Sequence, residues 1–398
     1  MYNIQGIVMN SFCKVPLILL LAFFLFSCGD EDEATISPIT APQTPTINDP
    51  TPGCFANYAG NPVLESQDVQ WDGVFDIDED SSVDHWTPRW ADPHVLKIGT
   101  KMVMFVSASD DFPSAADPPD PDIRLYRLES NDGISWTPNP NTPVFKRSST
   151  PSDWDSSGTE TPAVIEFQGK LHLFYTGYDE GFAASLRYRV GHATSTDEGI
   201  TWTRDGNNPI LSPTGVFLDF NESIVGEPAP VIHNNQLYLY FTAVGANLGV
   251  STTLQVIGLT KTVLDISGDW DGQTWTSPVS VLEPDQSIYP RGDDWYGYTT
   301  PGAVEIEGKI HLYVSVVNDN PSWEMIHIHH VSSPDGENNW MQDSTYTFTK
   351  GDFPWINNGI HSPNPYIDGS LLMLYFSGND FGGTGTFGVG YASCDLTK

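Results

Sequence analysis

One phrase recurs along the chain and restricts the folds open to it more than any other feature. Each copy has a proline next to a polar or acidic residue, then a hydrophobic strand, a turn and an aromatic-rich strand with period-two alternation. The residues at or just before these prolines follow one another at intervals of 62 to 72 positions; they are Asp92, Glu160, Glu227, Thr299 and His361. Such a near-constant period is typical of a supersecondary unit that buries its faces against neighbouring copies.

A second repeated pattern sets the number of strands in each unit. Four copies carry a further strand that ends in Ser, Asp, Gly and Trp; these segments are Leu128–Trp136, Ala193–Trp202, Ile266–Trp275 and Val331–Trp340. Four strands per unit and five units predict an all-β fold, a five-bladed β-propeller, over residues 61–398. A β-sandwich with coincidental internal similarity is the alternative.

The first 60 residues carry signals for export and tethering. Lys14 precedes the apolar run Val15–Phe26, and the Ser27-Cys28 pair that follows resembles a bacterial lipobox. We therefore expect residues 1–27 to be a lipoprotein signal peptide and Cys28 to be lipidated, with an ordinary cleaved signal peptide as the alternative. Residues 28–60, rich in Thr and Pro, are predicted to be a disordered tether. The acidic run after Cys28 resembles a surface-export signal, so the expected location is the bacterial outer membrane or cell surface.

Two cysteines remain beyond Cys28, with Cys54 shortly before the first predicted strand and Cys394 in the last. An exported compartment favours oxidation, and a propeller has to join its two chain ends within one blade. We therefore predict a disulfide between Cys54 and Cys394. Two buried free thiols are the alternative.

The charge of the chain limits its partners. The formal net charge is −34, which argues against nucleic acid and against anionic membrane surfaces, so membrane contact is expected only through the lipid anchor. The 12 tryptophans and 16 tyrosines suit blade packing, and those at loop tips suit stacking on sugar rings. A carbohydrate partner and a monomeric protein are the resulting expectations.

The residues at the strand openings are the candidate catalytic groups. In a propeller the innermost strand of each blade begins at the mouth of the axial channel, so Asp92, Glu160, Glu227 and His361 are expected to converge there. Neighbouring like charges raise one another's pKa, which can keep one carboxyl protonated as an acid. Glycoside hydrolysis needs one ionised and one protonated carboxyl. The alternative is that these acids cap loops or bind a channel cation.

Residues just ahead of the strand openings are the candidate substrate-binding groups. Rings beside hydrogen-bonding groups are typical of sugar sites, and the set comprises Arg89, Trp90, Arg291, Trp295 and His361. Packing is the alternative for each tryptophan. No metal site is predicted, because His327 and His329 alternate with His330 along a strand and lack a third convergent ligand. No cofactor is expected, and a structural calcium ion in the acidic segment 76–80 stays open.

Two segments resemble a known family. The stretch Ala91–Val95 is similar to the opening of glycoside hydrolase family 43, and Arg189–Leu211 looks like the outer strand and linker of such enzymes. The repeats as a whole resemble the five-bladed glycosidase superfamily, which includes families 32, 43 and 117 and, more distantly, the mannoside phosphorylases of family 130. The resemblance implies a glycosidase with Asp92 as general base. It departs at blade 4, where Thr299-Thr300 stands in place of the family's glutamate acid.

The resulting hypothesis is a glycoside hydrolase that cleaves a polysaccharide or oligosaccharide by single displacement with inversion. Asp92 would activate water, Glu227 would protonate the leaving oxygen, and Glu160 would tune pKa values or hold a hydroxyl. Other candidate proton donors are Glu160, His361, Asp293 and Asp294. One alternative is a glycan-binding propeller without catalysis, favoured by the two threonines. The other is a phosphorylase of the family 130 type, which would need a basic pocket built from Arg89, Arg291 and Lys309.

Overall fold

The computed structural model describes most of the chain beyond residue 46. The described residues are 47–51, 53–66, 71, 73–76, 79–84, 88–109, 123–179, 188–246, 253–263, 274–283, 295–318, 324–379 and 387–398. They form 22 β-strands and one short 3-10 helix, Lys350–Asp352, so the predicted all-β class is confirmed. All of them belong to one compact unit, Pro45–Lys398. None of the described helices has the length and hydropathy to cross a bilayer. The predicted signal peptide and Cys28 lie outside the described residues.

The strands follow one another in antiparallel meanders whose first strands carry the recurring phrase. Meander I consists of β3 (Arg89–Ile98), β4 (Lys101–Ser109), β5 (Arg124–Ser130) and β6 (Thr137–Pro138). Meander II consists of β7 (Gly158–Phe167), β8 (Lys170–Tyr178), β9 (Arg189–Ser195) and β10 (Thr203–Arg204). Both are separate four-stranded sheets, as the repeat predicts.

The next two meanders share one sheet. Meander III consists of β11 (Ile224–His233), β12 (Gln236–Ala246), β13 (Thr253–Val263) and β14 (Val279–Leu282). Meander IV consists of β15 (Trp295–Ile306), β16 (Lys309–Asn318), β17 (Glu324–Ser333), β18 (Met341–Gln342) and β19 (Phe348–Thr349). A parallel pairing of Gln255 with Gly297 joins β13 to β15, so the described strands form four hydrogen-bonded sheets.

Both ends of the described chain meet in meander V. It contains β20 (Gly359–Asp368), β21 (Leu371–Asn379) and β22 (Phe387–Asp395), and the early strands β1 (Ala56–Asn57) and β2 (Leu64–Glu65) pair with β22. A disulfide joins Cys54 to Cys394, whose Cα atoms lie 5.3 Å apart. The N–H of Asn48 also donates to the carbonyl of Leu396 at 2.9 Å. The described part of the predicted tether therefore packs on meander V, and the folded part begins before residue 61.

Tight turns explain the hairpins that open the meanders. Gln168 and Gly169 join β7 to β8 with φ values of 51° and 71°, and Asn234 and Asn235 join β11 to β12 with 48° and 59°. Two consecutive positive φ values are those of the type I′ turn, whose twist matches that of paired strands. Asn and Gly tolerate this conformation best, so local sequence fixes where these hairpins turn.

The hydrophobic core lies between consecutive meanders. One buried cluster packs meander I on II through residues such as Phe105 and Leu173, and equivalent clusters pack II on III, III on IV and IV on V. A further cluster packs meander I on V, with Met104 and Tyr126 beside Tyr375. Each meander thus buries its two faces against two neighbours, which is the arrangement that the repeat period predicts.

Candidate active site

Each first strand carries a β-bulge where the recurring proline stands. The register with the second strand shifts there in all five meanders. The residue before the proline adopts a left-handed conformation; these bulge residues are Asp92 (φ 53°), Thr161 (50°), Glu227 (53°), Thr300 (43°) and Ser362 (50°). A residue with a side chain is strained in this region and persists there only where its surroundings hold it.

A ring of hydroxyl groups holds the five bulges. The backbone N–H of each bulge residue donates to a Ser or Thr side chain on the second strand of the preceding meander. The pairs are Asp92 to Ser377 (2.8 Å), Thr161 to Ser107 (3.0 Å), Glu227 to Thr176 (2.7 Å), Thr300 to Thr242 (2.9 Å) and Ser362 to Ser315 (3.2 Å). All five bulge residues and their prolines line one small cavity of about 40 Å³. The strained backbone is therefore fixed by contacts that also join the meanders.

A larger cavity of about 410 Å³ adjoins the bulges and is lined by the three predicted catalytic carboxyls. Asp92 and Glu227 are bulge residues, whereas Glu160 stands one position before its bulge residue, Thr161. Each carboxyl is open to the cavity but otherwise enclosed by protein. The structure therefore brings Asp92, Glu160 and Glu227 together around one space, as the sequence predicted.

Asp92 is surrounded by hydrogen-bond donors. The Ser362 hydroxyl donates to its Oδ1 at 2.6 Å, and the Ser107 hydroxyl and the Thr161 backbone N–H also donate to this carboxyl. Burial raises the pKa of Asp92, and these three donors oppose that rise. Donors of this kind stabilise the carboxylate form, so Asp92 suits the role of a base.

Glu227 has an equivalent environment. Its Oε2 accepts hydrogen bonds from the hydroxyls of Thr242 (2.5 Å) and Thr299 (2.6 Å) and from the Thr300 N–H (2.9 Å). Burial raises the pKa of Glu227, the three donors oppose that rise, and the charge of Asp92 adds to it. The Thr299-Thr300 pair, which replaces the expected blade-4 acid, therefore serves as a pair of donors to Glu227.

Glu160 differs from the other two carboxyls. Burial and the negative charges of Asp92 and Glu227 together raise its pKa to about 8, against a hydrogen bond from Tyr188 that lowers it. Burial and the neighbouring Glu160 in turn raise the pKa of Tyr188 well above its usual value, so this phenol stays a donor. Near neutral pH, Glu160 therefore holds a proton beside two carboxyls whose hydrogen-bond donors oppose the rise in their own pKa.

His361 also lines the cavity but cannot serve as a cationic acid at neutral pH. Burial lowers its pKa to about 4. Its Nδ1 lies 2.9 Å from Oγ of Ser362, and its Nε2 lies 3.3 Å from Nδ2 of Asn379. A neutral imidazole held in this way can orient Ser362, which in turn donates to Asp92.

The predicted substrate-binding residues occupy different environments in the structure. Arg89 lines the cavity, with its guanidinium 5.8 Å from the centre of the Phe387 ring. The interpretation of Trp90 is corrected: its side chain is 0% exposed and packs in the core against Trp71 and Tyr126, because strand alternation turns it away from the face of Arg89 and Ala91. Arg291 and the Trp295 side chain lie outside the described part, as do Asp293 and Asp294.

Some lining residues were missed in the sequence. Ile123, Tyr188, Gln255, Met325 and Phe387 all line the cavity and lie at the starts of third strands. The sequence segments before these starts differ in length, so no repeat marks them. The hydroxyl ring did have a signal, because a Ser or Thr closes the aromatic run of every second strand; these residues are Ser107, Thr176, Thr242, Ser315 and Ser377.

The weaker patterns resolve into structural contacts. His327 stacks on Tyr346 with ring centroids 3.8 Å apart, and His330 Nδ1 lies 2.9 Å from the Asp343 carboxylate. Among the described residues, no three His, Cys, Asp or Glu side chains stand close enough to hold a metal ion. Asp76 accepts hydrogen bonds from the backbone N–H groups of Asp80 and Ser81 at 3.1 and 3.0 Å, so it caps its own loop.

The fold is similar to those of solved glycoside hydrolases. A family 117 glycoside hydrolase produced by the marine bacterium Zobellia galactanivorans aligns with a TM-score of 0.56 at 14% identity, over 82% of this chain and 89% of that chain. A thermostable family-43 glycoside hydrolase aligns with a TM-score of 0.54 at 14% identity, over 76% and 89%. The chain has a glycosidase-like, propeller-like all-β fold. An α-L-arabinofuranosidase from Lactobacillus brevis aligns with a TM-score of 0.53 at 13% identity, over 76% and 90%. No protein-family model and no curated protein sequence matches the chain.

Proposed function

We propose that this protein is a glycoside hydrolase whose reaction is carried by Asp92, Glu160 and Glu227. The observation that carries the proposal is the pKa of Glu160, raised to about 8 beside two hydrogen-bonded carboxyls in one cavity. Glycosidic bond cleavage requires a protonated and an ionised carboxyl around the same bond. The similarity to glycoside hydrolase folds is consistent with this chemistry but shows the fold alone.

The proposed reaction is a single displacement by water. Asp92 accepts a proton from the water, whose oxygen forms a bond to the anomeric carbon, while the bond from that carbon to the leaving oxygen breaks. Glu160 gives its proton to the leaving oxygen, and the product forms with inverted configuration. Burial and the charges of Asp92 and Glu227 keep the pKa of Glu160 high between turnovers.

This assignment moves the proton donor from Glu227, as the sequence suggested, to Glu160. Three donors converge on Oε2 of Glu227, and the carboxylate form accepts all of them. A protonated Glu227 would compete with those donors. Glu160 has a single donor, Tyr188, and two acidic neighbours.

We also propose that meanders I to V are the blades of a closed five-bladed β-propeller. The bond from Asp92 to Ser377 and the hydrophobic cluster between meanders I and V support closure, because both connect the first blade to the last. The carboxyls would then lie at one end of the axial channel, where ligand cavities of such folds are found.

The location of the protein is likewise a proposal. Lipidation at Cys28 after removal of residues 1–27 would anchor a monomer in the outer membrane or at the cell surface, with carbohydrate outside the cell as its partner. The acidic chain, with a net charge of −34, favours an uncharged glycan over a polyanionic one. Replacement of Cys28 by Ala should move the protein from the membrane fraction to the soluble one.

The direct test is a screen of plant and algal glycans for the release of reducing ends. Asp92→Asn should lower kcat by a factor of about 10² to 10⁴, because an amide cannot accept the proton from water. The matched control is Asp368→Asn. Asp368 is an exposed aspartate at the last position of β20, where it pairs with Lys97. Equal turnover by wild type and Asp92→Asn would reject Asp92 as the base.

The second candidate function is glycan binding without cleavage. It is favoured by Thr299 and Thr300, which replace the acid expected from the family resemblance. Glycan binding without any release of reducing ends would support this candidate. A phosphorylase is less well supported, since Arg89 is the one Lys or Arg among the described residues that line the cavity.

A further inference from the structure

The third strand of every meander begins at the large cavity. We call the lining residues within two positions of these starts the collar; they are Ile123, Tyr188, Gln255, Met325 and Phe387. Three of them are apolar, and Tyr188 uses its hydroxyl for Glu160. Gln255 is therefore the one collar residue with an amide, and the established contacts of the three carboxyls do not involve it.

The Gln255 side chain has an unmet hydrogen-bonding requirement. The residue is 2% exposed, and within the described structure its Oε1 has no hydrogen-bond partner. Buried polar groups in folded proteins are almost always paired, and an unpaired acceptor is costly. A ligand hydroxyl held in the adjoining cavity can supply the missing donor to a group of this kind.

The backbone fixes this residue from two sides. Gln255 pairs with Val244, another lining residue, and also with Gly297 across the junction of meanders III and IV. Gly297 has a φ of +133°, and a Cβ at that position would lie 1.9 Å from the Gln255 carbonyl oxygen. A glycine is thus required for this approach, and Gln255 is held on rigid strands rather than on a loop.

We propose that Gln255 is a substrate-positioning residue that accepts a hydrogen bond from one hydroxyl of the sugar ring held over Asp92, Glu160 and Glu227. This inference rests on the proposed glycosidase function. The terminal torsion of a glutamine side chain is broad and roughly two-fold, so the carboxamide can turn its oxygen towards that hydroxyl. The apolar collar residues Ile123, Met325 and Phe387 then cover the C–H edges of the same ring.

The test couples a change in the protein to a change in the sugar. Wild type and Gln255→Leu are compared on 4-nitrophenyl glycosides of galactose, arabinose, xylose, fucose and rhamnose, and on the monodeoxy forms of the best substrate. Loss of one hydrogen bond to a neutral group lowers kcat/KM by about tenfold. For one monodeoxy form the difference between the two proteins should vanish, because the hydroxyl that pairs with Gln255 is already absent.

The matched control is Gln236→Leu, the same substitution at the far end of β12, outside the cavity lining. It should behave as wild type on every sugar. A Gln255→Leu protein whose tenfold loss persists on every monodeoxy form, or that loses nothing, would overturn the role of Gln255 while the glycosidase function stands. If wild type cleaves neither these glycosides nor any of the screened plant and algal glycans, and shows no shift in melting temperature with them, both proposals fail.

Discussion

The backbone N–H of Asp92 donates a 2.8 Å hydrogen bond to Oγ of Ser377, which lies 285 positions further along the chain. Asp92 is the bulge residue of the first meander, and Ser377 lies on the second strand of the last. The hydrogen bond that connects the first and last meanders therefore also holds the backbone conformation of a candidate catalytic residue. One contact therefore helps to join the last meander to the first and also helps to build the candidate site.

The first prediction concerns this contact. Ser377→Ala removes the acceptor of a buried N–H and should lower the free energy of unfolding by about 1 to 3 kcal/mol. Urea denaturation followed by fluorescence measures the change. Ser280→Ala, on an exposed position of β14, is the control and should stay within about 0.5 kcal/mol of wild type. Equal stabilities of the two variants would show that the contact does not hold the bulge.

The second prediction concerns stability and pH. Glu160 keeps its proton in the folded protein up to about pH 8, whereas the unfolded chain releases it near the ordinary value of 4.5. The folded state binds more protons between these values, so the contribution of Glu160 to stability is fully present below pH 4.5 and is lost as the pH rises to about 8. Glu160→Gln lacks this titration.

The measurement is the difference in melting temperature between Glu160→Gln and wild type across the pH range. The melting temperature of the variant relative to that of wild type should rise between about pH 4.5 and about pH 8. Below and above this range the difference should stay constant. Parallel curves throughout that window would mean that the Glu160 carboxyl ionises as an ordinary glutamate does.

The third prediction concerns the disulfide. Cys54 and Cys394 are 340 positions apart, so their bond constrains nearly the whole unfolded chain. Cys54→Ser should lower the free energy of unfolding by about 2 to 4 kcal/mol. A reductant should lower the stability of wild type to that of the variant and leave the variant unchanged. A reductant that affects both proteins alike would mean that the bond does not form.

The recurring phrase was enough to predict the strands, their pairing in meanders and the convergence of Asp92, Glu160 and Glu227. Alternation could also have placed Trp90 correctly, because neighbours on a strand face opposite sides and Arg89 and Ala91 face the cavity. The sequence also shows Glu160 one position before Thr161-Pro162, and the structure makes Thr161 the counterpart of Asp92 and Glu227.

Other features of the candidate site could not be predicted from the local sequence. The pKa of Glu160 depends on enclosure and on two charges from other meanders, and neither is visible in its own strand. Tyr188 and Gln255 line the cavity near the starts of third strands, and the sequence before these strands varies in length, so the repeat does not predict their positions. The pairing of Gln255 with Gly297 depends on how close two meanders approach, which is a property of packing.

The role of Glu160 as proton donor is tested most directly by the dependence of kcat/KM on the leaving group. Glu160→Gln and wild type are compared on aryl glycosides whose leaving phenols range from weakly to strongly acidic. A poor leaving group needs the proton, so the variant should be slower by a factor of about 10² to 10⁴ on it and nearly equal to wild type on the most acidic phenol. A deficit of the same size on every aryl glycoside would contradict the assignment.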